Sequence, residues 1–180
     1  MKLATCVHFI DPVTQSVLLA YQQAKIIGRK GYGGTMKENE GSLACTAREV
    51  SEETGGIKEF RINPDQEGGI IFDIADLVPV ALIDFYNGPE DEVEFGDPTF
   101  RVLFYNCYKF SGHAIDTVEM RDPWFYPINN LPIDLVPGDL VFLPDILQGK
   151  MLTGWIRRTK DFKTILDSQI EACQLSDLII

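Results

Sequence analysis

Three glutamates with helical spacing, Glu49, Glu52 and Glu53, are the residues of this sequence best suited to chemistry. At about 100° per residue they lie on one side of a helix, where like charges destabilise it by roughly a few tenths of a kcal/mol per pair. Arg48 can reach Glu52 at i+4, but one arginine does not balance three carboxylates. Hard divalent cations such as Mg²⁺ bind all-oxygen sites. The cluster therefore indicates a metal site; the alternative, usual for charge runs, is a solvated acidic face.

The residues ahead of this cluster favour the metal site. Gly33 and Gly34 allow the backbone to approach a ligand closely, and Asn39 tolerates a positive φ. We predict a helix over residues 42 to 54, with Ser42 as its N-cap. Its apolar side, which should pack on a sheet, contains Leu43, Ala47 and Val50.

Strands and helices alternate along the rest of the chain. Apolar, β-branched and aromatic residues predict strands at 3–10, 16–21, 78–86 and 99–110. An apolar stripe with a period of about 3.6 residues predicts a C-terminal amphipathic helix over 161–176. We predict no long helix or strand in three stretches of the chain. They are 61–77, the acidic loop 88–97, which should be solvated, and the proline-rich 123–144, which should be loop with short pieces of structure.

Composition and charge limit the class of protein. A length of 180 residues fits a single domain, residues 1–180, and no apolar run is long enough to span a bilayer. The formal net charge of −11 argues against binding nucleic acid polymers, and a phosphorylated ligand would need a cation to screen its charge. The N-terminus lacks a signal-peptide cleavage site, and the cysteines lack metal-binding spacing. We therefore expect a cytoplasmic protein with reduced thiols and no membrane partner.

The stretch from residue 34 to 56 follows a known pattern. It has Gly34, five residues, Glu40, seven residues, and then Arg48-Glu49-Val50-Ser51-Glu52-Glu53-Thr54-Gly55. This resembles the Nudix box, GX5EX7REUXEEXGU with U an aliphatic residue, and departs from it only at the last position, Gly56. The resemblance implies an α/β fold of the Nudix type. This is an α/β/α sandwich with a mixed, partly antiparallel sheet, the box helix on one side and the C-terminal helix on the other.

The same resemblance implies roles for the box residues. The ligands of a divalent metal, Mg²⁺ or Mn²⁺, would be the Gly34 carbonyl, Glu49, Glu52 and Glu53. Arg48 would orient the carboxylates, and Glu40 would be structural. The implied reaction is attack of water on a phosphorus of a nucleoside diphosphate linked to another group, with one carboxylate as the general base. The candidates for this base are Glu53, Glu49 and, from a distant loop, Glu119, which could equally be a plain surface carboxylate.

Beyond the box, the chain resembles the MutT-homologue branch, which hydrolyses oxidised purine nucleoside triphosphates such as 8-oxo-dGTP. The similar stretches are Val17-Leu18-Leu19, Gly31-Tyr32-Gly33-Gly34, 119–125, 134–139, Phe142-Leu143-Pro144 and Gly154-Trp155. At the base-contacting positions of that branch this chain departs from the pattern. It has Val136 for an aromatic residue, Gly138 and Asp139 for two aspartates, and Lys30 for an asparagine. Loss of a stacking aromatic removes roughly 1–3 kcal/mol per base, so the identity of the base stays open.

A small group of residues could contact the substrate. The candidate substrate-binding residues are Lys25, Lys30, Tyr32 and Asp139; Lys25, Arg29 and Lys30 would hold phosphates or else form a solvated loop. The leading substrate is a purine nucleoside triphosphate. The alternatives are a dinucleotide polyphosphate, a nucleotide sugar, or a catalytically silent domain that only binds a nucleotide. Retention of all three box carboxylates favours the enzyme. Segment 61–77 would cover the pocket or form a dimer contact, and the protein would be a monomer or a homodimer.

Overall fold

The computed structural model describes residues 1–23, 27–88 and 96–179 and shows an α/β fold. Within these ranges the strands are β1 (Lys2–Asp11), β2 (Ser16–Gln22), β3 (Gly28–Lys30), β4 (Gly69–Phe72), β5 (Leu77–Gly88), β6 (Phe100–Cys107), β7 (Phe110–His113), β8 (Met120–Pro127), β9 (Leu152–Thr159) and β10 (Ile165–Ala172). The α-helices are α1 (Ser42–Glu53) and α2 (Asp139–Leu147). The four predicted strands correspond to β1, β2, β5 and β6, and the predicted box helix corresponds to α1.

The strands form one large mixed sheet and one small pair. The large sheet has the order β10-β9-β5-β6-β1-β2-β3, with β8 paired to β2. β1 runs parallel to β6 and antiparallel to β2, whereas β5 runs parallel to β9 and antiparallel to β6. The small pair joins β4 and β7. The predicted mixed, partly antiparallel sheet is confirmed.

The two helices cover opposite faces of the large sheet. Along β1, Cys6 and Ile10 belong to a core cluster with Phe142 of α2, whereas Val7 belongs to a second cluster with Val50 of α1. Successive side chains of a strand point to opposite faces, so the two clusters lie on the two sides of the sheet. The α/β/α sandwich is confirmed, but its second helical layer is α2 and not a C-terminal helix.

The predicted C-terminal helix over 161–176 is wrong. Its residues Ile165–Ala172 form β10, which pairs antiparallel with β9 at the edge of the sheet. Ile165 and Ile170 pack against the core cluster that contains α2. The pairing register shifts between Ile165 and Asp167. A bulge of this kind offsets the alternation of a strand, so its apolar residues can imitate a helical period.

The start of α1 also differs from the prediction. Gly41, not Ser42, is the N-cap, and the Ser42 hydroxyl instead accepts a hydrogen bond from the Tyr105 hydroxyl at 3.1 Å. The residues that α1 buries are Cys45, Thr46, Val50 and Glu53. Leu43 is 39% exposed, because the side of α1 that faces the sheet is the one that contains Glu53 and not the one that contains Leu43. Asn39 has the predicted positive φ, at 61°.

Two stretches without predicted elements contain regular structure. The proline-rich 123–144 holds most of β8 and the first part of α2, with Pro144 inside the helix. Segment 61–77 contains β4, and Arg61 donates hydrogen bonds to the carbonyls of Gly55 and Gly56 just beyond α1. Segment 61–77 thus packs at the end of α1 and contributes no side chain to the cavity described below.

Two other sequence predictions concern solvent exposure and the membrane. Residues 89–95, most of the predicted acidic loop, lie outside the described residues, so its solvation stays a prediction. None of the described helices combines the length and the apolar character needed to cross a membrane.

Candidate active site

A cavity of about 520 Å³ holds most of the candidate residues. Its floor includes Ala4 and Cys6 of β1 and Val102 and Phe104 of β6, which face the same side because the two strands pair in register. At the carboxylate end lie Glu49, Glu52, Glu53 and Glu119, beside the loop that bonds to β1. At the aromatic end lie Phe85 of β5, Arg158 of β9, Asp139 and Phe162. β9 is three strands away from β1, about 14 Å at the usual strand spacing.

Arg48 holds the outer carboxylates of the carboxylate end. One terminal guanidinium nitrogen, Nη1, donates to Glu49 Oε1 at 2.6 Å and to Glu52 Oε2 at 3.4 Å. Nε and Nη2 donate to the two oxygens of Glu40 at 2.7 and 2.9 Å, and Nη2 also reaches the Thr35 carbonyl. Bonding to Arg48 lowers the pKa of Glu40 to about 2, so Glu40 is a permanent anion that anchors the guanidinium. The orienting role of Arg48 and the structural role of Glu40 stay predictions, which these contacts support.

Glu53 is the most deeply buried carboxylate of the box. Its side chain accepts a hydrogen bond from the Gly33 N–H at 2.7 Å, and the Lys30 ammonium lies 3.5 Å from its other oxygen. Burial raises the pKa of Glu53 to about 7, against the opposing influence of Lys30 and the Gly33 N–H. The neighbouring carboxylates Glu49 and Glu119 add to the rise. A carboxyl group with a pKa near neutrality is suited to accept a proton from water at neutral pH.

The two glycines before the helix permit this close packing. A Cβ at Gly34 would lie 2.6 Å from the carboxyl carbon of Glu49, and a Cβ at Gly33 would lie 2.1 Å from the Thr5 carbonyl oxygen. Gly33 also has φ 150°, a conformation that side chains rarely adopt. The Gly34 carbonyl accepts a hydrogen bond from the Thr5 N–H at 3.0 Å, which fixes this loop against β1.

The residues predicted to bind the substrate or hold its phosphates do not all lie at the cavity. Lys30 and Asp139 line the cavity, and Lys30 also donates to the Gly33 carbonyl at 2.7 Å. Tyr32 is fully buried on the far side of the sheet, in the cluster with Val50, and does not line the cavity. Arg29 forms ion pairs with Asp122 and Asp134 away from the cavity. Lys25 lies outside the described residues.

Of the residues at the aromatic end, Asp139 was predicted from the sequence, whereas Phe85, Arg158 and Phe162 were not. Arg158 lies with its guanidinium carbon 4.4 Å from the ring centre of Phe85 and 5.6 Å from that of Phe162. Along β9, Leu152 and Ile156 are buried, and Arg158 continues the same alternation. A charged residue on the buried side of a strand is unusual. An arginine at a buried strand position could therefore have been recognised as a candidate site residue. It was not, because 161–176 was predicted as a helix and no strand was predicted before it.

Burial dominates the electrostatics of the aromatic end. It raises the pKa of Asp139 to about 7, although Arg158 and Lys30 oppose the change. It also lowers the pKa of Arg158 to about 10, which still leaves the guanidinium charged at neutral pH. Val136, the position of the aromatic residue in the similar branch, lines the cavity as an apolar side chain.

The donor set at the carboxylate end fits a hard divalent cation. The Gly34 carbonyl and the carboxylates of Glu49, Glu52 and Glu53 are oxygen donors at one end of one cavity, the ligand type of Mg²⁺ and Mn²⁺. In the described parts of the chain, no three acidic, histidine or cysteine side chains already converge on one point. Arg48 and Lys30 instead engage the carboxylates. A cation bound here would favour the ionised form of Glu53, whose pKa is raised mainly by burial and to a smaller extent by Glu49 and Glu119.

Replacement of Asp139 by asparagine should stabilise the metal-free protein more at pH 8 than at pH 4. The pKa of Asp139 is about 7 in the folded protein, above its ordinary value of 3.8. The free energy of unfolding therefore falls as pH rises from about 4 to about 7, because Asp139 ionises at a lower pH in the unfolded chain than in the folded protein. The loss across this range is of the order of a few kcal/mol. Asparagine does not titrate. Its advantage in Tm over the parent should therefore grow by roughly 5 °C or more across this range in thermal unfolding with EDTA.

The matched control for this prediction is Asp145→Asn on the same helix, where the carboxylate is 45% exposed and paired with Lys150. Its difference in Tm from the parent should not grow with pH. If the plots of Tm against pH for Asp139→Asn and for the parent were parallel, burial would not raise the pKa of Asp139.

Comparison with known proteins gives structural matches only. No protein-family model matches this sequence, and no curated protein sequence matches it. The MutT mutator protein from Bacillus halodurans superposes with a TM-score of 0.73 at 17% identity, over 95% of this chain and 98% of that chain.

Two other solved structures are similar at comparable identity. The MutT Nudix hydrolase from Burkholderia pseudomallei has a TM-score of 0.55 at 16% identity, over 78% of this chain and 93% of that one. An ADP-ribose pyrophosphatase from Streptococcus suis has a TM-score of 0.54 at 16% identity, over 88% and 98%. The chain therefore has the fold shared by these MutT and Nudix proteins.

Proposed function

We propose that this chain, which has the Nudix fold, is a Nudix hydrolase that cuts a diphosphate linkage in a nucleoside triphosphate or diphosphate derivative with the help of Mg²⁺ or Mn²⁺. The observation that carries the proposal is the shared cavity. The Gly34 carbonyl and the box carboxylates lie at one end, and an aromatic pocket lies across about three strands of the sheet at the other. Such a span suits a nucleotide with its phosphates at the carboxylate end and its base at the aromatic end.

The residues of the carboxylate end have distinct roles in this reaction. Gly34, Glu49, Glu52 and Glu53 would hold the cation, which supplies positive charge that screens the phosphates and favours departure of the leaving phosphate. Glu53 accepts the proton of the attacking water, a role that suits a buried carboxyl with its pKa near 7. Glu119, also in the cavity, is the alternative acceptor. Arg48 keeps Glu49 and Glu52 in place through its bonds to both.

The leading substrate is a purine nucleoside triphosphate, including oxidised forms such as 8-oxo-dGTP. This choice rests on the similarity to the MutT-homologue branch and on Asp139, which lines the aromatic end. Nucleotide sugars and dinucleotide polyphosphates are the alternative substrates. A silent nucleotide-binding module is disfavoured because Glu49, Glu52 and Glu53 are all present and line the cavity. Action in the cytoplasm, as a monomer or homodimer, remains a prediction from the sequence.

The test is release of phosphate or pyrophosphate from a nucleotide panel, with Mg²⁺, with Mn²⁺ and with EDTA. The panel contains ordinary and oxidised purine triphosphates, a dinucleotide polyphosphate and two nucleotide sugars. We expect release from one class at a rate at least about 10³-fold above the EDTA control, since both charge screening and leaving-group stabilisation are lost without metal. Metal-independent release, or no release combined with metal-independent binding of the nucleotide, would refute the proposal.

A further inference from the structure

Arg158 is a buried cation that has no ion pair with any residue in the described part of the chain. Arg158 as a whole is 3% exposed, and its guanidinium forms no salt bridge with any carboxylate in the described ranges. Buried charges in proteins are usually paired or hydrogen-bonded throughout, because leaving water is costly. A guanidinium that lines a cavity and keeps free donors is therefore suited to bind a ligand.

The structure fixes this guanidinium in one orientation. Its Nε donates to the Asn87 side-chain oxygen at 3.0 Å, and Nη1 donates to the Pro137 carbonyl at 3.1 Å. The rings of Phe85 and Phe162 pack near the guanidinium. Arginine has five N–H donors, and the two bonds leave the remaining donors, including those of Nη2, without a partner among the described residues. A ligand acceptor in the cavity can use them without any rearrangement.

Asp139 supplies the complementary acceptor at the same end of the cavity. Its carboxyl group is buried, lines the cavity and is electrostatically coupled to Arg158. An arginine donates readily to the O6 and N7 acceptors of an oxopurine, and a carboxylate accepts from a ring N–H. We propose that Arg158 and Asp139 together select a base with a lactam edge, a ring carbonyl next to a ring N–H as in hypoxanthine or guanine, over adenine. This inference rests on the proposed nucleotide function.

A flat base fits this pocket better than an anionic group. The walls around the pair are apolar and include Phe104 and Val136. An anion next to Arg158 would also lie near the carboxylate of Asp139, and the repulsion would offset much of the attraction. A lactam edge satisfies both groups, because its carbonyl faces the cation and its N–H faces the carboxylate.

The experiment compares the binding of inosine monophosphate (IMP) and adenosine monophosphate (AMP), which differ at position 6 and the adjacent ring nitrogen. Calorimetric titration needs no hydrolysis, so it separates this inference from the proposed activity. The titration is done at pH 8, where Asp139, with a pKa of about 7, is mostly ionised. The parent should bind IMP about 10-fold more tightly than AMP, the usual effect of a hydrogen bond to a charged group. Arg158→Gln should bring this ratio close to one by weakening IMP. Lys160→Gln, which removes an exposed charge two residues away, should leave the ratio unchanged.

Asp139→Asn provides a test that does not depend on loss of binding. An asparagine amide can accept from the amino group of adenine and donate to its unprotonated ring nitrogen, so this variant should bind AMP more tightly than the parent does. The inference is overturned by equal binding of IMP and AMP to the parent. It is also overturned if Arg158→Gln weakens both nucleotides equally while inorganic phosphate competes with them, since Arg158 would then bind an anion. IMP preference without hydrolysis of any member of the nucleotide panel would refute the proposed function and leave the inference intact.

Discussion

Replacement of Glu53 by glutamine is expected to lower kcat by roughly 10²- to 10⁴-fold, the usual range for loss of a general base. Glutamine keeps the size of the side chain and an oxygen that can accept the Gly33 N–H bond, now 2.7 Å long. It removes the negative charge and the proton acceptor. The local structure should therefore survive while the chemistry fails. At saturating metal, KM should change little because the proposed base pocket lies at the other end of the cavity. Steady-state kinetics on the best substrate of the panel measure both constants.

The control for this prediction is Glu38→Gln, an exposed glutamate of the box loop outside the cavity. It removes the same charge and should retain the kcat of the parent. If Glu53→Gln retained kcat within about threefold, Glu53 would be neither the base nor an essential ligand. Glu119→Gln would then be the decisive variant, since Glu119 lies at the same end of the cavity.

Replacement of Arg48 by lysine is expected to lower kcat/KM by roughly 10- to 100-fold, the range seen when a residue that orients metal ligands is lost. The guanidinium bonds simultaneously to Glu40, Glu49 and Glu52. An ammonium is a compact point charge and cannot reproduce this planar fork. The carboxylates should lose their fixed orientation, and the metal concentration needed for half-maximal rate should rise.

Arg101→Lys is the matched control for Arg48→Lys. Arg101 also donates two hydrogen bonds to one carboxylate, Asp84 at 2.8 and 2.7 Å, but it lies outside the cavity. Both variants replace a planar fork by a point charge, so they make the same chemical change at two places in the protein. A loss of activity and of metal affinity in Arg48→Lys alone supports the orienting role. Equal kinetics in the two variants would show that Arg48 acts only on stability.

Local sequence predicted the carboxylate end well. The spacing of Glu49, Glu52 and Glu53 places them on one side of any α-helix, and the helix itself was evident from the pattern around it. The contact of Arg48 with Glu52 follows from the same geometry. By contrast, the apolar side of α1 was misjudged. The sheet selects which stripe is buried, and here that stripe includes Glu53 and leaves Leu43 exposed.

Errors in secondary structure concentrated where tertiary contacts override the local pattern. The apolar residues of 161–176 fit a helical stripe, yet pairing with β9 makes a strand of residues 165–172. The helix that fills this layer is α2, in a stretch where prolines suggested loop. Tyr32 was assigned to the substrate because of its place in the motif, but its position beside Gly33 puts it on the opposite face of the sheet.

The sequence by itself determined the arrangement of the carboxylates on α1, because residues close in the chain and held on one helix have a fixed geometry. Only the tertiary structure decided which residues line the other end of the cavity. Phe85, Asp139 and Arg158 come from β5, α2 and β9, and they line one cavity because β5 and β9 are neighbouring strands and α2 packs in the same core cluster. Their separation along the chain says nothing about their distance in space. That distance depends on strand order and register, which are set by burial of the whole core.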